Sequence, residues 1–125
     1  MKMVSAILIG VGIVHLIALK AVLGGDWITG LYGVDPLDSN LELLIRHRAV
    51  LFGLLGTLLV ISAFQPKLQI AAIAAGLIST FSFIALSWQT GQPNELISKV
   101  ILVDWVAVVL LVVAGAIRLT LPQTG

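Results

Sequence analysis

Four long apolar stretches, each matched to the thickness of a bilayer, constrain this 125-residue chain more than any other feature. A hydrocarbon core of ~30 Å is crossed by about 20 apolar residues in helical form. Residues 3–23, 43–64, 68–88 and 96–119 each meet that length. Lipid offers no hydrogen-bond partner to a bare backbone, so each stretch is expected to be a helix whose N–H and C=O groups pair internally. The expected fold is an all-α membrane protein, a four-transmembrane-helix antiparallel bundle, with residues 1–125 as a single domain.

Composition agrees with that reading. Apolar residues make up 59% of the chain and charged residues 10%, against about 25% charged in ordinary soluble domains. Mean hydropathy is +1.13. A net charge of +1 gives no electrostatic footing for nucleic acid. With no cysteine, disulfides, thiolate metal sites and thiol catalysis are excluded. Met1-Lys2 and the apolar run after it superficially resemble a secretory signal. The run is too long for a signal core and carries His15 and Lys20, so it is read as a retained first span.

The breaks fall where helices are expected to end. Gly24-Gly25 closes the first span, Gln65-Pro66-Lys67 makes a tight turn, Gly91 to Asn94 separates the last two spans, and Leu121-Pro122 ends the fourth. Short connections make spans 2 and 3, and spans 3 and 4, antiparallel neighbours. The long connection, 24–40, carries Trp27, Tyr32, Gly33, Asp35, Pro36 and Asp38 and is expected to lie as a loop on the bilayer surface. Asp38 to Asn40 offer caps for the second helix, with Glu42 in its first turn.

Lys2, Lys67 and Arg118 fall on one side of the bundle, and Lys20, Arg46, Arg48 and Lys99 on the loop side with every acid. Discounting Arg46 and Arg48 as interior residues favours an N-in/C-in orientation. Lys20, Lys67, Lys99 and Arg118 are read as interfacial anchors, and Trp88 and Trp105 as belt or packing residues.

Ionisable groups mark the place where chemistry is expected. His15 in the first span and Asp104 in the fourth each lie roughly 12 Å inside the loop-side face. Arg46-His47-Arg48 sits a turn or two into the second span from the same side. Unpaired charges at such depth cost at least ~3 kcal/mol each. Arg46 shares a helix face with Ala49, Gly53 and Thr57, a small-residue seam, so it is expected to point inward and pair with Asp104, with Arg48 as second choice. The pair serves either a binding site or helix register alone. On the third span Ala72, Gly76, Thr80 and Ser87 form a small, mildly polar stripe. His15 and His47 also raise a bis-histidine b-type haem as a minor alternative, and His15 equally suits a hydrogen-bonded packing role.

The stretch Arg46-His47-Arg48-Ala49-Val50-Leu51-Phe52-Gly53-Leu54-Leu55-Gly56 carries a family resemblance, extended by His15, Leu31-Tyr32-Gly33, Ser82-Phe83 and Asp104. Over nearly its whole length the chain resembles small four-helix bacterial membrane proteins of the DoxX-like kind. The resemblance implies the four-helix fold and a bacterial inner-membrane location, and it implies no catalytic role for any residue. Some such proteins carry the label phosphopantetheine adenylyltransferase. That enzyme is similar to soluble nucleotidyltransferases with a parallel sheet and a His-x-Gly-His motif, and neither feature is present here.

The leading expectation is a polar intramembrane pocket lined by His15, Arg46, His47, Arg48 and Asp104 that binds an amphipathic small molecule such as a quinone, lipid or isoprenoid. No metal site is expected, and whether bond-making chemistry follows is left open. The alternatives are a dimeric transporter or channel subunit, and an accessory structural subunit of a larger membrane complex.

Overall fold

The computed structural model describes residues 2–23, 25–33, 38–91 and 94–120. Gly24, Gln92, Pro93 and Leu121-Pro122 of the expected breaks, and Asp35 and Pro36 of the expected loop, lie outside these residues. Helix α1 (Lys2–Ala18) runs on through a 3₁₀ turn (Leu19–Leu23). It is followed by a short helix α2 (Gly25–Tyr32) and the long α3 (Ser39–Ser62). A 3₁₀ turn (Pro66–Leu68) leads into α4 (Gln69–Thr90), and α5 (Glu95–Thr120) closes the fold. Among the described residues four helical segments are long and apolar enough to cross a membrane. They form the antiparallel bundle that the apolar stretches predict.

Contacts run α1–α3, α3–α4, α4–α5 and α5–α1, so each span packs against two antiparallel neighbours in a closed ring. Periodicity explains which faces turn inward. On α1 Val4, Leu8, Val11 and His15 are buried at helical spacing, and on α5 Ala107, Leu111, Ala114 and Arg118 repeat the pattern. Large apolar side chains such as Leu54, Ile78, Leu102 and Leu119 face outward. A surface of that kind suits lipid, since soluble proteins rarely leave contiguous apolar patches bare.

The α1–α3 crossing depends on glycine. A Cβ on Gly12 would sit 2.9 Å from the Gly56 carbonyl oxygen, and one on Gly56 would sit 2.7 Å from that of Gly12. Backbones approach this closely only where neither residue has a side chain, as in small-residue seams of membrane helices.

Where a surface loop was expected across 24–40, part of the segment is α2. Ile28 and Tyr32, spaced i,i+4, bury one face of it against the end of α1 and against α5. Gly33, at φ +67°, ends α2 in the left-handed conformation, with its N–H bonded to the Thr29 carbonyl at 2.8 Å. Asn94 then joins two helices. Its Nδ2 donates to the Tyr32 carbonyl at 2.8 Å, and its Oδ1 accepts from the Ile97 N–H at 2.8 Å in the first turn of α5. Asp38 caps α3 as expected, accepting from the Asn40 N–H at 2.9 Å.

The turn end of the bundle is more polar than its sequence suggested. Ser5 Oγ donates to the Ala63 carbonyl at 2.8 Å, and Ser62 and Gln69 are buried. Arg118, read as an interfacial anchor, is 4% exposed and donates from Nη2 to the Pro66 carbonyl at 3.2 Å. The cause is its register on α5, eleven residues beyond Ala107 on the inward stripe. The turn between α3 and α4 gathers backbone carbonyls at this end of the bundle, and these two side chains donate to two of them, that of Pro66 also accepting from the Gln69 N–H.

Candidate functional site

Burial at the loop-side end begins with His15. It continues the inward stripe of α1, is 5% exposed, and meets the Phe52 ring edge-on with centroids 5.6 Å apart. Its Nδ1 lies 2.9 Å from the Val11 carbonyl. A carbonyl only accepts, so Nδ1 carries a proton, and in the neutral form of the ring the lone pair lies on Nε2. Among the described residues nothing bonds to Nε2.

Arg48, and not Arg46, is the inward arginine of α3. Its guanidinium carbon lies 4.4 Å from the Phe52 ring centre, 4.9 Å from Phe83 and 5.4 Å from Tyr32. Its Nη1 donates to the Tyr32 hydroxyl at 3.1 Å. Three aromatic side chains from α2, α3 and α4 thus hold one cation. A single desolvated cation–π contact is worth roughly 2 kcal/mol, enough to offset much of the cost of placing the charge at this depth. The contacts fix the group through ring faces and leave most of its N–H donors uncommitted.

Arg46 points the other way because the arginines are two positions apart, roughly 200° around a helix. The seam it was assigned to is real, since Ala49, Gly53 and Gly56 are buried against α1. Arg46 sits one turn beyond the stretch that α1 covers. It is exposed, and its Nε donates to the Val22 carbonyl at 2.9 Å, capping the 3₁₀ turn at the end of the first span. The expected Arg46–Asp104 pair is therefore not formed. Counting Arg46 as an outer residue also removes the bias on which the N-in/C-in expectation rested.

Asp104 lies on the inward stripe of α5, one turn before Ala107. It lines a cavity of about 280 Å³ together with His15, Arg48, Tyr32 and Phe52. Val14, Ile17, Leu31, Val100 and Val103 make the rest of the wall largely apolar, and the exposed Lys99 also lines it. Arg48 and Asp104 thus face the same cavity from α3 and α5. Among the described residues the carboxyl has no hydrogen bond. The cavity therefore presents an acceptor with unfilled capacity on α5, a caged cation on α3, and a lone pair on α1.

Of the five residues singled out in the sequence, His15, Arg48 and Asp104 meet at one cavity, and Arg46 and His47 do not. His47 is exposed and lines neither this cavity nor the second one described below. Sequence reasoning missed Tyr32, Phe52 and Phe83 as partners of Arg48. All three lie within the stretches that carry the family resemblance, and that was the available signal. Thr80, part of the polar stripe on α4, turns its hydroxyl to the Gly76 carbonyl of its own helix at 2.9 Å.

A second cavity, of about 400 Å³, lies between α3 and α4 and is lined by Arg48, Leu51, Phe52, Leu55, Ala75, Ser79, Ser82, Phe83 and Leu86. Arg48 and Phe52 border both cavities. No protein-family model, curated protein or solved structure matches the chain.

Proposed function

We propose that this protein binds an amphipathic small molecule within the membrane, with the ligand's polar group in the loop-side cavity between Arg48 and Asp104. The observation that carries the proposal is a carboxyl and a caged guanidinium facing one apolar cavity, with the carboxyl free of hydrogen bonds among the described residues. Buried ionisable groups are retained in membrane interiors where they are paired or used. A ligand head that offers an acceptor satisfies the guanidinium of Arg48, and one that also carries a hydroxyl satisfies Asp104. His15 Nε2 is a second acceptor for a ligand hydroxyl. Quinones, lipids and isoprenoids combine such polar ends with the apolar body that the cavity wall accommodates. A bacterial inner-membrane setting and kinship with DoxX-like four-helix proteins belong to the same proposal.

The test is mass spectrometry of protein purified in mild detergent without added ligand. A stoichiometric amphiphile is expected on the wild type, and much less of it on folded Arg48→Gln and Asp104→Asn proteins. Equal retention by all three, or none by the wild type, would overturn the proposal.

A further inference from the structure

The second cavity has features that the proposed binding site does not use. Helices α3 and α4 are joined by a short connection, yet they pack less extensively than α1 with α3 or α4 with α5. The space between them follows Ala75 to Leu86 on α4, eleven residues or about 16 Å of helix. Leu51, Ser82 and Leu86 on its rim are exposed, so the groove opens outward between two membrane spans. The medium outside that opening is lipid hydrocarbon. Of the two serines on its wall, Ser82 turns its hydroxyl to the Ser79 carbonyl at 3.0 Å and leaves the groove chiefly apolar.

One end of the groove is charged. Arg48 borders it, and no acidic side chain does. On the other side Arg48 borders the first cavity, where Lys99 adds a second cation. A ligand reaching Arg48 along the groove therefore meets positive charge without an opposing carboxylate until it has passed the guanidinium. Its aromatic contacts hold that group by the ring faces and leave N–H donors at its edge for an anion.

We infer that the groove between α3 and α4 is a lateral portal from the bilayer, receiving the hydrocarbon chain of a single-chain anionic amphiphile whose head is held by Arg48. This deepens the proposed function and rests on it: the head lies against the first cavity and the chain in the groove. The shared chemistry is one anionic group on one long chain, either a carboxylate, as in a free fatty acid, or a phosphate, as in a prenyl phosphate.

The absence of cysteine gives a clean background for single-site labelling. A fluorophore on Ser82→Cys reports on the groove, and one on Leu102→Cys reports on an outward face of α5 that lines neither cavity. Both proteins are placed in nanodiscs of zwitterionic phospholipid and titrated with a spin-labelled long-chain carboxylate. Saturable quenching is expected at Ser82→Cys and only the weak, linear quenching of bulk lipid at Leu102→Cys. Stronger competition by unlabelled fatty acid than by a prenyl phosphate of equal chain length identifies a carboxylate head, and the reverse order identifies a phosphate. Adding Arg48→Gln should raise the half-saturating mole fraction about tenfold or more, the loss of a charge-assisted hydrogen bond. Ala75→Leu narrows the groove without touching Arg48 or the first cavity, and should weaken saturable quenching in a protein that still folds. Equal quenching at the two positions, or equal competition by a zwitterionic single-chain lipid, overturns the portal. If that happens while purified protein retains a ligand sensitive to Asp104→Asn, the binding site stands and only its access route and ligand charge are wrong. If no ligand is retained either, both readings fall.

Discussion

Replacing Gly56 with alanine tests the close crossing that sets the distance between α1 and α3, and with it the position of His15. The new Cβ would lie 2.7 Å from the Gly12 carbonyl oxygen, 3.0 Å from Leu16 Cγ and 3.1 Å from His15 Cβ. The oxygen belongs to a helical backbone and cannot rotate away, so the two helices must separate by about half an ångström. Overpacking of this kind costs about 1–3 kcal/mol. Alanine returns about 0.5–1 kcal/mol through its better helix propensity. The expected net effect is a destabilisation of about 0–2.5 kcal/mol against the wild type and about 1–3 kcal/mol against Gly10→Ala, read as a lower midpoint of thermal unfolding in detergent. Gly10→Ala is the control, because nothing lies within 4 Å of a Cβ there and only the propensity gain remains. Gly12→Ala combined with Gly56→Ala should cost less than the sum, since one separation relieves both clashes. A Gly56→Ala protein as stable as Gly10→Ala would refute the crossing distance and the placement of His15 that follows from it.

Other outcomes follow from the same geometry. In double-mutant cycles on thermal stability, Asp104→Asn should couple to Arg48→Gln by about 1 kcal/mol. With Arg46→Gln it should be additive within about 0.5 kcal/mol; the reverse pattern would restore the pair expected from sequence. Gly33→Ala forces a side chain to φ +67° and brings its Cβ 3.1 Å from Asn94 Nδ2, so a loss of about 1–3 kcal/mol is expected in chemical unfolding. Asn94→Ala should lose about 0.5–2 kcal/mol by removing the cap of α5 and its bond to Tyr32. Phe52→Leu keeps apolar volume but removes the nearest ring from Arg48, and a drop of about 0.5–2 kcal/mol in the same assay measures the cation–π contact.

How much of this was legible in the chain depends on the range of the physics. Span lengths and helix type follow from local hydropathy and the need to pair backbone groups in lipid, so the four helices could be read directly. The cap at Asp38 is equally local. His15 and Asp104 were legible as interior groups because depth along a helix is a simple count of residues. The choice between Arg46 and Arg48 was not. Both lie on α3 at similar depth, and the small-residue face correctly identified the seam but could not say where α1 stops covering it. The same gap hid Tyr32, because only the docking of α2 brings its hydroxyl to Arg48. It also hid Arg118, whose partner Pro66 is remote in sequence. The sequence by itself determined how many spans form, how long they are and how deep along them each charge sits. Tertiary structure alone decided how each helix is rotated and which side chains meet, because the packing of neighbours sets rotation, and the hydropathy of a single span carries no record of those neighbours.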